Sequence, residues 1–245
     1  AIQRALTLDG REGFVLGDIG CYGLGMGPSG FSQMKTIHAM GSGAGLASGF
    51  GQLDRFGLSQ PVLAVCGDST FYHAAMPALV NARYNGANFV LLLLDNSATA
   101  MTGFQPHPGT GRTATGKEAP VLDLKTICES LGARVQVTDP FDLAATTEAM
   151  LKFLQDKEGV KVLILRRECA LVRSKKQKKL YQMEVNQERC LGDACGCNRL
   201  CTRVFKCPGL YWDRATGKAG IDEAICTGCG VCAEICPASA IRKEV

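Results

Sequence analysis

The sequence has no long hydrophobic run. Its longest, "FVLLLL" from Phe89 to Leu94, is six residues, whereas a membrane-crossing helix needs about 20. The N-terminus lacks a basic stretch followed by an apolar one, so no secretory signal is read and the expected location is the cytoplasm. There is no initiator Met. The chain opens on "AIQRAL", as a fragment or one piece of a processed polypeptide would. Charge of one sign is scarce too, with a net of +4. Much of that excess lies in "RRECALVRSKKQKK", residues 166–179. This run lacks interleaved aromatics and sits in no recognisable nucleic-acid-binding fold, which argues against nucleic acid. It reads as a solvated linker, or as a docking surface for an acidic partner such as an electron carrier.

The composition is that of a globular protein, with 46% hydrophobic and 20% charged residues among 245. That length supports one sizeable core plus a small appendage. Short apolar runs alternate with longer helical patterns. "FVLGD", "PVLAVCGD", "ANFVLLLLDN", "ARVQV" and "VKVLILRR" read as strands. "FSQMKTIHAMGSGAGLASGFGQL", "TFYHAAMPALVNARYN", "LDLKTICESLG" and "PFDLAATTEAMLKFLQDK" read as helices. A Gly/Pro/Thr loop runs from Ser97 to about Ala119. The alternation predicts an open parallel sheet covered on both faces, which explains a strand that is apolar throughout. This α/β domain is expected over residues 1–185, basic linker included. A small Cys-rich domain follows over residues 186–245 and is too short to build an adequate core by burial alone.

Thirteen cysteines are present. Cys21, Cys66, Cys128 and Cys169 are scattered, and the other nine lie between Cys190 and Cys236. A dense terminal cluster without a secretion signal points to metal rather than disulfides. Cys226, Cys229, Cys232 and Cys236-Pro237 give C-x2-C-x2-C-x3-C-P. Three thiolates wrap one face of a four-iron cluster, Gly228 and Gly230 let backbone N–H groups approach the sulfurs, and the fourth Cys, expected at a helix start, serves a second cluster. Zinc sites use separated C-x2-C pairs instead. Cys207-Pro208 is the counterpart of Cys236-Pro237, and Cys201 is the expected third ligand of the first half. Cys190, Cys195 and Cys197 compete for the two remaining positions. Cys190 and Cys197 are favoured, with "LGDAC" as an insertion carrying Cys195, but Cys195 in place of Cys190 stays open.

In the sheet domain, Gly67-Asp68-Ser69 ends one apolar strand and Asn96 ends the next, with 26 residues between Ser69 and Asn96. That length suits one helical crossover, so both fall at the carboxyl edge of neighbouring parallel strands, where open α/β sheets bind ligands. Asp68 offers a carboxylate, Asn96 an amide oxygen and the following loop a carbonyl. These hard ligands suit Mg²⁺ together with phosphate oxygens, and the helix after Ser69 adds its positive end.

The pattern "GDST…H…P.L.NA.YN…LDN..TAMTG.QP.PG" resembles the thiamine diphosphate half of the indolepyruvate ferredoxin oxidoreductase large subunit, in the 2-oxo-acid:ferredoxin oxidoreductase family. "GDIGCYGLG" from Gly17 to Gly25, "MGSGAGLASG" and the Cys-rich tail are similar to further segments of that subunit, so the likeness covers nearly the whole chain. The resemblance implies that Asp68, Asn96 and the Ala98 carbonyl hold Mg²⁺, and that Gly67, Ser69 and Thr70 lie along the diphosphate. Thr99, Ala100 and Met101 follow on the cofactor, Gly20 and Cys21 sit near the thiazolium, and Met40 and Gly41 are close by. Cys21 and Cys66 could equally be buried small hydrophobes. Of His38, His73 and His107, His73 is the expected acid–base or diphosphate contact, with Cys21 as a second catalytic candidate.

The implied activity is oxidative decarboxylation of a 2-oxo acid such as an aryl pyruvate on thiamine diphosphate. Two [4Fe-4S] clusters would pass electrons singly to ferredoxin or a similar carrier, and coenzyme A would take the acyl group. Phenylglyoxylate, pyruvate or 2-oxoglutarate are alternative substrates. An electron-transfer subunit with a vestigial thiamine domain is an alternative role, against which the intact Asp68/Asn96 pair argues. The family's pyrimidine-binding domain and "CPGCPHR"-like segment do not occur in this sequence. The expected partners are therefore a pyrimidine-domain-bearing part or subunit and a smaller subunit, and the chain is expected to be inactive alone.

Overall fold

The run "FVLLLL" can be apolar at every position because both faces of its strand are covered. The structure, a computed structural model, describes residues 1–176 and 179–244, without the side chains of Ser29, Ala194 and Cys195. The first unit holds a six-stranded sheet made of β1 (Phe14–Leu16), β2 (Met34–Thr36), β3 (Val62–Gly67), β4 (Phe89–Asp95), β5 (Arg134–Thr138) and β6 (Val160–Arg166). The spatial order is β2-β1-β3-β4-β6-β5, and every pairing is parallel.

Alternate residues of β4 feed two cores. Leu91 and Leu93 pack with residues of α2 (Ser42–Phe50), α4 (Met76–Tyr84) and α5 (Leu124–Ser130). Val90 and Leu92 pack with residues of α1 (Ile2–Asp9) and α6 (Leu143–Gln155). Each fully buried Leu contributes about 1.5–3 kcal/mol. Asp123 and Asp142 start α5 and α6 by accepting the backbone N–H groups of Thr126 and Ala145. Cys66 and Cys128 belong to the first core. Burial raises the Cys66 thiol far above its ordinary value and Cys128 to about 12, so both are inert small hydrophobes.

One expected helix is not continuous. Residues 31–53 read as a single helix, but the structure makes β2 first and α2 only from Ser42. The backbone of Met34–Thr36 pairs with β1, and Gly41, at φ 86°, turns the chain into the helix. The small residues of α2 have a packing reason: a Cβ on Gly43 would come within 2.9 Å of the Leu16 carbonyl oxygen.

Lys161, on β6, is buried to 1% exposure. Its ammonium donates to Asn88 Oδ1 and, at 2.9 Å, to the Asp156 carbonyl. Burial pushes it down to about 8. The lysine thus ties the loop before β4 to the loop before β6, at the edge of the sheet where the strands begin.

The chain divides into two units, residues 1–26 with 32–169, and residues 27–31 with 170–245. The division falls earlier than the expected boundary after residue 185. Much of the basic run forms α7 (Ala170–Lys176), and β7 (Gln182–Val185) pairs antiparallel with β10 (Ile241–Glu244) at the end of the chain. Gln177 and Lys178 of that run lie outside the described residues. The second unit also holds the hairpin β8 (Leu210–Asp213)–β9 (Lys218–Ile221) and the short α8 (Val231–Ile235). Its core is small, built on Met183, Val185, Leu210, Ala219, Cys232 and Ile241, with further cysteines half-buried against it.

Candidate functional site

Three strand ends make a cleft of about 200 Å³ in the first unit. Ile19–Tyr22 follow β1, Gly67–Thr70 follow β3, and Asn96 with Ala98–Thr102 follow β4. From β1 the chain crosses to β2 on one side, and from β3 to β4 on the other. The cleft therefore lies at a topological switch point on the carboxyl edge. Gly20, Cys21, Met40, Gly67, Asp68, Ser69, Thr70, Asn96, Ala98, Thr99, Ala100 and Met101, all named in the sequence reading, line it.

Asp68 opens α3 (Asp68–Thr70) and is 1% exposed. Its Oδ2 accepts the backbone N–H groups of Asn96 at 3.0 Å and Ser97 at 2.8 Å. Oδ1 accepts only Ser69 N–H, at 2.7 Å, and keeps an acceptor position free. Asn96 Oδ1 accepts Ala98 N–H at 3.0 Å and likewise keeps one. Ser97 stands at φ 58°, a left-handed conformation held where its N–H meets the carboxylate.

His107 lies in the long loop after β4, 8% exposed. Its Nδ1 accepts Gly109 N–H at 3.2 Å. Nε2 is 3.1 Å from Asp68 Oδ2 but outside hydrogen-bond geometry, a buried nitrogen without a hydrogen-bond partner among the described residues. The ring stacks on Tyr72, with centroids 5.5 Å apart. His73, the favoured histidine of the sequence reading, is exposed in the π-helical turn Phe71–Ala75 and does not line the cleft. Gly41 does not line it either; its N–H donates to Asp18 Oδ2 at 3.0 Å.

Asp18 and Tyr22 were not singled out in the sequence, yet they shape this edge. Asp18 is fully buried, and burial raises its carboxyl although Tyr22 and Gly41 donate to it. The Tyr22 hydroxyl donates to Asp18 and lies 3.3 Å from Thr70 Oγ1. A Cβ on Gly67 would meet the Tyr22 ring at 3.2 Å. The available signal was positional, because Asp18, like Asp68, directly follows the Gly that ends an apolar run.

In the second unit the cysteines gather round two cavities. Cys190, Cys197, Cys201 and Cys236 line one, and Cys207, Cys226, Cys229 and Cys232 line the other. Gly228 N–H points at Cys226 Sγ, 3.4 Å away, and Ala240 N–H at Cys236 Sγ, 3.3 Å away. Cys236 follows α8 as its C-terminal cap, not at a helix start as expected, because Pro237 cannot continue a helix. Burial, then the neighbouring thiols Cys229, Cys207 and Cys226, raise Cys232 to about 12. Four thiols around one cavity thus call for positive charge. Among the described residues no group of three or more His, Cys, Asp or Glu side chains could hold a metal ion.

Residues 18–165 match the C-terminal TPP binding domain of thiamine pyrophosphate enzymes, and residues 219–242 match the 4Fe-4S binding domain. The chain is 40% identical to indolepyruvate oxidoreductase subunit IorA of Pyrococcus horikoshii, over 99% of this chain and 38% of that one. It is 37% identical to the subunit of the same name from Methanothermobacter marburgensis, over 100% of this chain and 38% of that one. The chain thus spans somewhat over a third of these relatives' length. The 2-oxoglutarate:ferredoxin oxidoreductase of Magnetococcus marinus, solved with 2-oxoglutarate, coenzyme A and succinyl-CoA bound, superposes with a TM-score of 0.57 at 18% identity. That match covers 69% of this chain and 59% of the other, and the likeness is one of fold.

Proposed function

Because the chain belongs to the thiamine pyrophosphate enzymes and carries their C-terminal TPP binding domain, we propose that it is the cofactor-holding and electron-carrying part of a 2-oxo-acid:ferredoxin oxidoreductase that oxidises an aryl pyruvate such as indolepyruvate. One observation carries this reading. A single chain presents an oxygen-lined cleft at the sheet's switch point and two cavities of four cysteines each. A decarboxylase that releases no electrons has no use for the second feature. The relatives named indolepyruvate oxidoreductase support the choice of substrate.

The cleft's donors fit a magnesium diphosphate. Asp68 Oδ1, Asn96 Oδ1 and the Ala98 carbonyl are the proposed Mg²⁺ ligands, since Mg²⁺ takes few protein oxygens and completes its shell with phosphate and water. Among the described residues no Lys or Arg lines the cleft, so diphosphate charge falls to the cation and to the backbone of Gly67, Ser69 and Thr70. Gly20, Cys21, Met40, Thr99, Ala100 and Met101 form the remaining wall, with Gly41 holding Asp18 behind it. His107, rather than His73, is the imidazole that lies against Asp68. Bound there, thiamine diphosphate supplies the electron sink for decarboxylation.

Cys190, Cys197, Cys201 and Cys236 are the proposed ligands of one [4Fe-4S] cluster, and Cys207, Cys226, Cys229 and Cys232 of the other. Cys195, whose side chain lies outside the described residues, stays the alternative to Cys190. The proposed partners are a pyrimidine-binding part or subunit, a smaller subunit, coenzyme A and a ferredoxin-like acceptor.

The test is cluster bleaching in the purified complex. Indolepyruvate with coenzyme A is expected to reduce the clusters faster than phenylglyoxylate, pyruvate or 2-oxoglutarate. Reduction by none of them, with full iron and thiamine diphosphate present, would sink the reading.

A further inference from the structure

The two cysteine-lined cavities have different charged neighbours. Among the described residues no charged residue lines the one around Cys207, Cys226, Cys229 and Cys232, although Lys179 and Lys243 lie against Gly228 and Gly230 of its loop. Arg199 lines the other, beside Leu191, Gly192 and Trp212. Three features fix that arginine. Its guanidinium forks onto Asp193, with Nε 2.6 Å from Oδ1 and Nη2 2.8 Å from Oδ2. Its carbon lies 4.1 Å from the centre of the Trp212 ring. Its backbone is held at φ 55°, a left-handed value that a non-glycine residue adopts only under constraint.

Asp193 belongs to "LGDAC", the stretch that an ordinary first ferredoxin half lacks. That stretch is seated closely on the hairpin: a Cβ on Gly192 would stand 2.3 Å from the Gly217 carbonyl oxygen. The two charges are not equally placed. The Arg199 side chain is 25% exposed and lines the cavity, whereas the Asp193 side chain is 64% exposed and faces water. Solvent screens the carboxylate more than the guanidinium.

We infer that the inserted Asp193 and its partner Arg199 set the reduction potential of the site of Cys190, Cys197, Cys201 and Cys236. The inference rests on the two-cluster reading above. A [4Fe-4S] cluster takes up one electron on reduction, with no bond made or broken. A fixed positive charge at the cavity wall stabilises the added negative charge and raises the potential, as charge and burial do for such clusters generally. Asp193 opposes that effect in part and holds the guanidinium in place.

The experiment is a dithionite titration of the anaerobically purified complex, followed by electron paramagnetic resonance. Cys201→Ser identifies the signal of the first cluster. Arg199→Gln is expected to lower that cluster's midpoint and leave the other in place. Asp193→Asn is expected to raise the same midpoint, and Arg199→Lys to stay close to the parent. Opposite shifts from the two neutralising variants are not a result that looser packing would give. If Arg199→Gln costs iron, Asp193→Asn decides alone by the direction of its shift. Shifts of one sign, or no shift, overturn the inference. A parent protein with fewer than about eight irons per chain refutes the two-cluster reading instead.

Discussion

His107 Nε2 stands 3.1 Å from Asp68 Oδ2, with both side chains buried. The contact joins the long loop after β4 to the turn after β3. It places an imidazole behind the carboxylate oxygen that two backbone N–H groups already occupy. Oδ1, which accepts Ser69 N–H, is the oxygen with spare acceptor capacity.

His107→Ala is expected to weaken Mg–thiamine diphosphate binding by about tenfold, the equivalent of one lost buried polar contact. His73→Ala, at an exposed position, is expected to change it little. Calorimetric titration of the cofactor into the cofactor-stripped complex measures both. Equal effects would remove His107 from the site.

Cys236→Ser and Cys201→Ser are each expected to remove about four irons and the same spectroscopic signal. Cys207→Ser and Cys232→Ser are expected to remove the other signal. Cys190→Ser is expected to lose iron where Cys195→Ser keeps it. Iron counting per chain with resonance spectra checks the assignment, and Cys236 grouping with Cys207 would refute it.

Leu92→Ala, in the sheet's central strand, is expected to destabilise the first unit by about 2–5 kcal/mol through lost burial and the cavity left behind. Chemical unfolding followed by far-ultraviolet circular dichroism measures the loss. A change under about 1 kcal/mol would mean that the strand is not covered on both faces.

Lys161 carries a pH dependence of stability. Its folded value is pushed down to about 8 from the ordinary 10.5, so protonation opposes folding. The group's contribution is complete above the unfolded value and is lost as pH falls through the folded one. The stability gap between the parent and Lys161→Met is therefore expected to shift in the parent's favour as pH rises from about 8 to about 10. Thermal unfolding across that range tests it, and a gap independent of pH would contradict it.

The sheet was legible because burial on both faces leaves a mark within each strand, and β4 is the plainest case. The cleft was legible for the same reason, since Asp68 and Asn96 directly follow buried strands. β2 was hidden because Met34–Thr36 is strand-like only through pairing with β1, and the small residues after it mimic one long helix. The Asp18–Tyr22–Thr70 network and the His107–Asp68 contact join residues far apart in sequence, where no local pattern records them. The cysteine grouping could be read because C-x3-C-P spacing itself sends the last thiol to the other site. The place of Cys236 after α8, rather than at a helix start, depended on where the chain turns at Pro237.

Each cysteine-lined cavity borrows one wall from the other half of its sequence. Cys236 stands with Cys190, Cys197 and Cys201, and Cys207 with Cys226, Cys229 and Cys232. This exchange makes the tail a reciprocal buckle: neither half holds a full set until the other is in place. On the proposed two-cluster reading, cluster loading and folding of this unit become one cooperative event. Oxidative damage to one cluster would then loosen a strap of its neighbour, and the unit would fail as a whole rather than site by site.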